Sequence, residues 1–303
     1  MPARTTSATH AFFSGLFDYA GLFPPAALPM ERALAHYAAY LAGADAWVLG
    51  RLVVPVRRLE ELVSTLATLP SDSFAAGPWR LTAIAGDDLT ADLARVRGLH
   101  ACHGESVVRV TALEATARSV AEVERAREIV PADLELVLEL PLDGDLGVLA
   151  RAVKAAGATA KIRTGGVNAA DLPEAGAVLG FLTACERERL AFKATAGLHH
   201  PVRGPQPLTY EPDCARGRLF GYLNVFVAAI ALWHGRDTTQ AARILEEEDR
   251  AAFRLDEAAV AWRGVSFPAP EVAAARAGFA TAIGSCSFSE PVDEIREMGV
   301  RLA

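Results

Sequence analysis

Two short segments hold the residues best suited to chemistry: Lys161-Ile162-Arg163-Thr164-Gly165-Gly166 and Phe192-Lys193-Ala194-Thr195-Ala196-Gly197-Leu198-His199-His200. Each continues an apolar strand, carries a lysine where the strand should end, and breaks into glycine. An ammonium buried without a partner is costly, so lysine is a poor filler for a strand interior. Two lysines at equivalent strand-to-loop junctions imply a pocket that wants an amine, which suits carbonyl chemistry through a Schiff base. Strand alternation puts Lys161 and Arg163 on one face, and Lys193 and Thr195 on the matching face of the next strand. The neighbours that face the other way, Ala160, Ile162, Phe192 and Ala194, are all apolar. Two ammonium groups about 6 Å apart repel by roughly 2–3 kcal/mol at an effective dielectric near 20. That repulsion is expected to depress one of the amines toward the neutral form that attacks a carbonyl. The alternative is a pair of anion-binding or salt-bridged lysines with no covalent role.

Positive charge at this rim calls for acidic partners. Glu139, just before Leu140-Pro141, should point inward with Val137, either as a general acid or base or as the ion partner of Lys161. Glu114, at the end of the preceding strand, is a similar candidate with a weaker case. Gly284-Ser285-Cys286-Ser287 follows an apolar strand and precedes a short helix over 292–298, where small residues expose backbone N–H groups to a phosphate. Cys286 itself is not expected to be a nucleophile, because no partner histidine is identifiable nearby. His199 and His200 face opposite ways on an extended chain, so a shared metal is not expected, and His199 is read as a contact to a substrate phosphate or hydroxyl. His100 and His103 are read as capping or flanking a loop. The segment Asp18-Tyr19-Ala20-Gly21-Leu22-Phe23-Pro24-Pro25 should be a stiff loop. It either plugs the bottom of a barrel or brings Asp18 to the rim.

The elements that must hold these residues alternate along the chain. Strands are expected at 47–54, 79–85, 106–113, 135–140, 159–164, 190–195 and 279–283. Amphipathic helices are expected between them, at 30–41, 59–69, 89–99, 116–129, 146–156 and 172–184. Such a series joined by right-handed crossovers predicts a parallel sheet, closed into a (β/α)8 TIM-barrel-like fold. An open doubly wound sheet is the alternative, and no Gly-x-Gly-x-x-Gly stands at a strand-to-helix turn to support it. One barrel domain over 1–303 is expected, with a disordered tail at 1–12 and an inserted or irregular segment at 199–270 before the last strand. Within that segment, Phe220–Trp233 reads as a long apolar helix or strand, and Glu246–Arg250 as an acidic, solvated helix face.

With these motifs in place, the chain resembles the deoxyribose-phosphate aldolase family, class I aldolases built on a (β/α)8 barrel. The family's Schiff-base strand reads Lys-x-x-Thr-Gly, and Lys161-Ile162-Arg163-Thr164-Gly165 is similar to it in register. The family's next strand reads Lys-x-Ser-Gly-Gly-x-Arg. Here the corresponding stretch is Lys193-Ala194-Thr195-Ala196-Gly197-Leu198-His199, with Ala196 and His199 as the departures. The family's phosphate-binding turn, Gly-x-Ser-Ser, resembles Gly284-Ser285-Cys286-Ser287, and its opening Asp-x-Thr-x-Leu-x-Pro resembles Asp18 to Pro24. Its acidic proton shuttle, an Asp on an earlier strand, has no clear match in this sequence; Arg109 and Glu114 bracket its place. The resemblance implies an imine on Lys161, tuned by Lys193, and a lyase acting on a small phosphorylated carbonyl compound. Glu139 or a water would move protons. Arg163, Thr164, Gly165, Thr195, Gly197, His199, Gly284, Ser285, Ser287 and Asp18 would contact substrate. The second reading is a barrel that binds a sugar phosphate or carboxylate, or isomerises it, without an imine.

Composition limits the rest. A net charge of −7 over 303 residues argues against a nucleic-acid binder, which needs a basic face. No apolar run approaches the roughly 20 residues of a membrane span, and the polar N-terminus lacks the apolar stretch of a signal peptide. Cys102, Cys185, Cys214 and Cys286 are scattered, which predicts reduced thiols in a cytoplasmic protein. A small-molecule substrate is expected as partner, a homo-oligomer is allowed, and no cofactor or metal is called for.

Overall fold

In a computed structural model, which describes residues 6–74, 77–103 and 107–302, eight strands close into a parallel barrel. In chain order they are β1 (Phe17–Tyr19), β2 (Leu49–Pro55), β3 (Trp79–Ile84), β4 (Val108–Thr116), β5 (Glu135–Glu139), β6 (Thr159–Arg163), β7 (Phe192–Thr195) and β8 (Ala280–Ser285). Each pairs with its sequence neighbours, and β1 pairs with both β2 and β8 to close the ring. This is the (β/α)8 TIM-barrel topology. Met1–Thr5 of the expected tail, Ser106 at the start of an expected strand and the side chain of His103 lie outside the described residues.

The alternation read from the sequence explains the layering. On β6 and β7 the outward residues Ala160, Ile162, Phe192 and Ala194 are fully buried under the helices. Register pairs Ala160 with Phe192 and Lys161 with Lys193, so the two lysines share one inward layer. Helices between the strands start on side-chain caps where the sequence supplies them. Ser119 accepts from the Glu122 N–H, and Asp145 from the Val148 N–H.

Three sequence expectations are corrected. Asp18 does not lie in a loop: Phe17–Tyr19 is a buried barrel strand, too short to show a period of two. Residues 8–12 of the expected tail belong to the helix Ala8–Phe13, which buries Phe12 and Phe13. The buried Arg276 guanidinium ties that helix to the barrel by donating to the carbonyls of Phe12 (2.8 Å), Ser14 (3.1 Å), Thr281 (2.6 Å) and Ala280. Glu246–Asp249 is not a helix. Glu247 turns inward there, accepting from the Trp262 Nε1–H at 3.0 Å and pairing with Arg263 at 2.7 Å.

The segment 199–270 is ordered. A hairpin of Gly204–Pro207 and Arg216–Leu219 follows β7. Tyr222–Trp233 is the helix after β7; it is apolar all round because it is covered on every side. Helix Thr238–Leu245, a three-stranded antiparallel sheet over residues 253–268 and helix Ala269–Gly278 then lead into β8. Asn224 is the polar residue of the buried helix, and both of its side-chain polar atoms are engaged. It accepts from the Arg203 N–H (2.8 Å) and donates to the carbonyls of Ile244 (2.7 Å) and Glu247 (2.8 Å). Among the described residues no helix is long and apolar enough to cross a membrane.

Candidate active site

A cavity of about 500 Å³ opens at the C-terminal ends of the strands, where barrel sites are built. Lys161, Lys193 and Glu114 form its floor. Glu114, on β4, takes both amines: Oε2 lies 2.6 Å from Lys161 Nζ and Oε1 lies 2.6 Å from Lys193 Nζ. Two such bonds to one carboxylate hold the amines within roughly 7 Å of each other. Lys161 also meets Glu139 at 3.0 Å, and Lys193 meets Asp18 at 2.5 Å. Glu139 in turn pairs with Arg163 at 3.3 Å.

Three cations and three carboxylates thus alternate in a chain from Arg163 to Asp18, and their formal charges cancel. This corrects the expectation of bare repulsion between two amines. Burial alone would pull Lys193 down, but Asp18 and Glu114 outweigh it and push its pKa above the ordinary lysine value. Burial alone would raise Glu114, but Lys193 and Lys161 lower it to about 2. The same contest, won by Lys161 and Arg163, lowers Glu139. Lys193 is therefore held as a cation, and Glu114 is held as an anion while both amines are charged.

The two amines are not equivalent in access. Lys161 lines the rim cavity alone. Lys193 also borders a second cavity, of about 340 Å³, beneath it at the N-terminal ends of the strands. Asp18 lines that lower space with Arg51 and Glu135, not the rim. It accepts from the Arg51 N–H at 2.7 Å and anchors Lys193 from below, so it is not placed to touch a substrate at the rim.

Several expected contacts line the cavity: Arg163, Gly165, Thr195, Gly197, His199 and Gly284. Gly165 and Gly197 allow the loops after β6 and β7 to touch, since a Cβ on Gly165 would lie 3.1 Å from Gly197 Cα. The preceding residue, Ala196, is held at φ +64°, a left-handed conformation that favours glycine. Thr164 does not line the cavity. It is buried, and its hydroxyl donates to the Ala196 carbonyl at 2.7 Å, which locks that approach. Ser285 and Ser287 do not line it either. The Ser285 hydroxyl donates to the Ser287 carbonyl at 2.6 Å, and Ser287 Oγ accepts from the Glu290 N–H at 3.2 Å at the start of helix Ser289–Glu297. The turn expected to cradle a phosphate therefore presents a carboxylate, Glu290, with its serines already engaged.

Sequence reasoning missed two arrangements. It ranked Glu139 above Glu114, although Glu114 joins the lysines; a bulge in the pairing of β3 with β4 shifts the register that would have revealed this. It also found no histidine for Cys286. His199 Nε2 lies 3.7 Å from Cys286 Sγ, and His199 Nδ1 lies 3.1 Å from Glu290 Oε2. The signal was present, since His199 and Cys286 each follow one of two adjacent strands. His200 Nδ1 bonds Glu294 at 2.5 Å, and a group of His200, Glu290 and Glu294 places one ligand atom each within 4.8 Å of one another. Glu294 is also paired with Arg250 at 3.2 Å, and Glu290 with His199, so both carboxylates of this group already have partners outside it. No protein-family model matches the chain, and no curated protein matches it.

Proposed function

We propose that the chain is a class I aldolase or lyase that forms an imine between Lys161 and a small carbonyl compound, similar in mechanism to the deoxyribose-phosphate aldolases it resembles. One observation carries the reading: Lys161 opens onto the rim cavity while the charged Lys193 stands in register beside it, joined to it through Glu114. A buried lysine pair built to bind an anion would leave its charge unmatched; here carboxylates neutralise both amines and also supply proton acceptors.

Lys161 must lose a proton before it attacks. Glu114 at 2.6 Å and Glu139 at 3.0 Å are the acceptors in reach, and Glu139, whose side chain is 22% exposed, is the route by which that proton reaches water. Nζ then bonds the carbonyl carbon, the π pair moves to oxygen, and a second Nζ proton passes to that oxygen, so the carbinolamine is neutral where an ammonium stood. Glu114 has then lost one of its two cations, so its proton affinity rises. It then takes up a proton from solvent and gives it to the carbinolamine hydroxyl, which leaves as water and yields the iminium. The iminium draws electrons from the adjacent carbon, so the next carbon–carbon bond can break as a base takes the β-hydroxyl proton.

The test is borohydride reduction in the presence of small aldehydes and ketones, with peptide mass analysis. A reduced adduct on Lys161, absent from Lys161→Ala, is the expected result. If no carbonyl compound is trapped, or if the adduct forms on Lys193, the reading falls.

A further inference from the structure

The wall of the same cavity carries a second nucleophilic constellation that the imine chemistry does not use. Cys286 Sγ, His199 and Glu290 stand in the order nucleophile, base, orienting acid, with contacts of 3.7 Å and 3.1 Å. Glu290 is held ionised: burial raises it, but the bond to His199 and the charges of His199 and His200 lower it. Burial pulls His199 down, but its bonds to Cys286 and Glu290 push it up to about 10, so at neutral pH the ring holds a proton on each nitrogen. Nδ1–H faces the Glu290 carboxylate, which only accepts, and Nε2–H is the proton that passes between the ring and sulfur. Tyr210, from the loop of the hairpin after β7, donates to the same carboxylate at 3.1 Å and lies 3.8 Å from the sulfur. Cys286 is 6% exposed, and it borders the rim cavity that Lys161 also lines.

We propose that Cys286 is a second carbonyl-capturing nucleophile, assisted by His199 and Glu290, which reversibly holds an aldehyde as a thiohemiacetal in the cavity that contains Lys161. Sγ bonds the aldehyde carbon, the carbonyl π pair moves to oxygen, and the thiol proton, carried by His199, ends on that oxygen as a hydroxyl. No oxidant or further reactant enters, and the reverse step returns the free aldehyde. In an aldol reaction this retains the aldehyde component while the other component is bound to Lys161. The ligand class rests on the carbonyl reading above; the thiol's reactivity does not.

The test is iodoacetamide labelling of the whole protein, with rates resolved cysteine by cysteine from peptide masses. Cys286, though nearly enclosed, should label about tenfold faster than the exposed Cys102 at neutral pH. His199→Gln should slow Cys286 about tenfold and leave Cys102 unchanged. Glu290→Gln, which keeps the shape of the side chain, should slow Cys286 by a smaller factor. Millimolar propionaldehyde should protect Cys286 and not Cys102, in the parent and in Lys161→Ala alike. Labelling of Cys286 no faster than Cys102, or indifferent to His199→Gln, overturns the activated thiol. Protection that disappears in Lys161→Ala assigns the aldehyde to the imine alone and overturns capture by sulfur. Protection that persists without any borohydride trapping would sink the imine reading and keep this one.

Discussion

Replacing Glu114 with Gln removes the carboxylate shared by both lysines and keeps its volume. The Glu114 side chain is 3% exposed and 2.6 Å from each amine. The residue's pKa is lowered from 4.5 to about 2: burial opposes ionisation, and Lys193 and Lys161 more than offset it. A carboxyl whose folded value lies below its unfolded value stabilises the protein above the unfolded value, and that stability is lost as pH falls through the folded one. The contribution is therefore complete above about pH 4.5 and declines toward pH 2. Its size is about 3 kcal/mol, from the gap between the two values at roughly 1.4 kcal/mol each. Breaking a buried ion pair by removing one partner costs about 3–5 kcal/mol, which gives the same scale by a separate route. The lower figure is apt, because Asp18 and Glu139 still serve the two lysines. Urea denaturation of parent and Glu114→Gln measures this directly. The stability gap should be about 3 kcal/mol at pH 7, hold to about pH 4.5, and narrow below that, read down to the lowest pH at which both fold. A gap under about 1 kcal/mol at pH 7, or one that widens on acidification, would refute the charge-chain account.

Lys193→Ala leaves Asp18 buried without its cation, and Glu114 with Lys161 alone, and should cost about 3–5 kcal/mol in urea unfolding. It should also move the pH dependence of borohydride trapping upward, since two carboxylates then face Lys161 without the neighbouring charge. Lys193→Arg restores that charge and should keep much of the low-pH trapping; equal loss in both variants would deny Lys193 an electrostatic role. Ala196→Gly relieves an L-residue held at φ +64°, and should stabilise by about 0.5–1 kcal/mol after glycine's extra chain entropy is counted. A loss of stability there would mean that the methyl group packs usefully. A sugar phosphate and its unphosphorylated parent should raise the melting temperature alike, because the turn at Gly284–Ser287 offers Glu290 rather than free serine hydroxyls. A clear preference for the phosphate would restore the cradle.

The barrel was legible because its information is periodic and local. Strands such as Thr159–Arg163 alternate an apolar outer set with a polar inner set, and helices such as Leu59–Leu66 and Leu146–Ala155 carry their own apolar stripe, so neither needs distant residues to be recognised. The pair Lys161 and Lys193 was legible for the same reason: successive parallel strands place equivalent positions side by side. What the sequence hid depends on ring closure. A three-residue strand such as Phe17–Tyr19 has no period to detect, and its place between β2 and β8 is fixed by the barrel needing an eighth member. Asp18 reaches Lys193 across 175 positions only once that ring exists. Glu114 is nameable from the sequence as a strand-end carboxylate, but its inward direction is obscured by the bulge that shifts the pairing of β3 with β4, since alternation counted from the strand start fails beyond such a shift. The inference from lysine spacing to mutual repulsion failed for a related reason. Charge patterning along one chain shows which groups are present, while a buried group's ionisation depends on every partner within a few ångströms, whatever its distance in sequence. In this barrel the decisive partners, Glu114 and Asp18, come from strands that no local pattern connects to β6 and β7. The sequence could therefore nominate the amines, and only the closed ring assigns each its counterion and, with it, its charge.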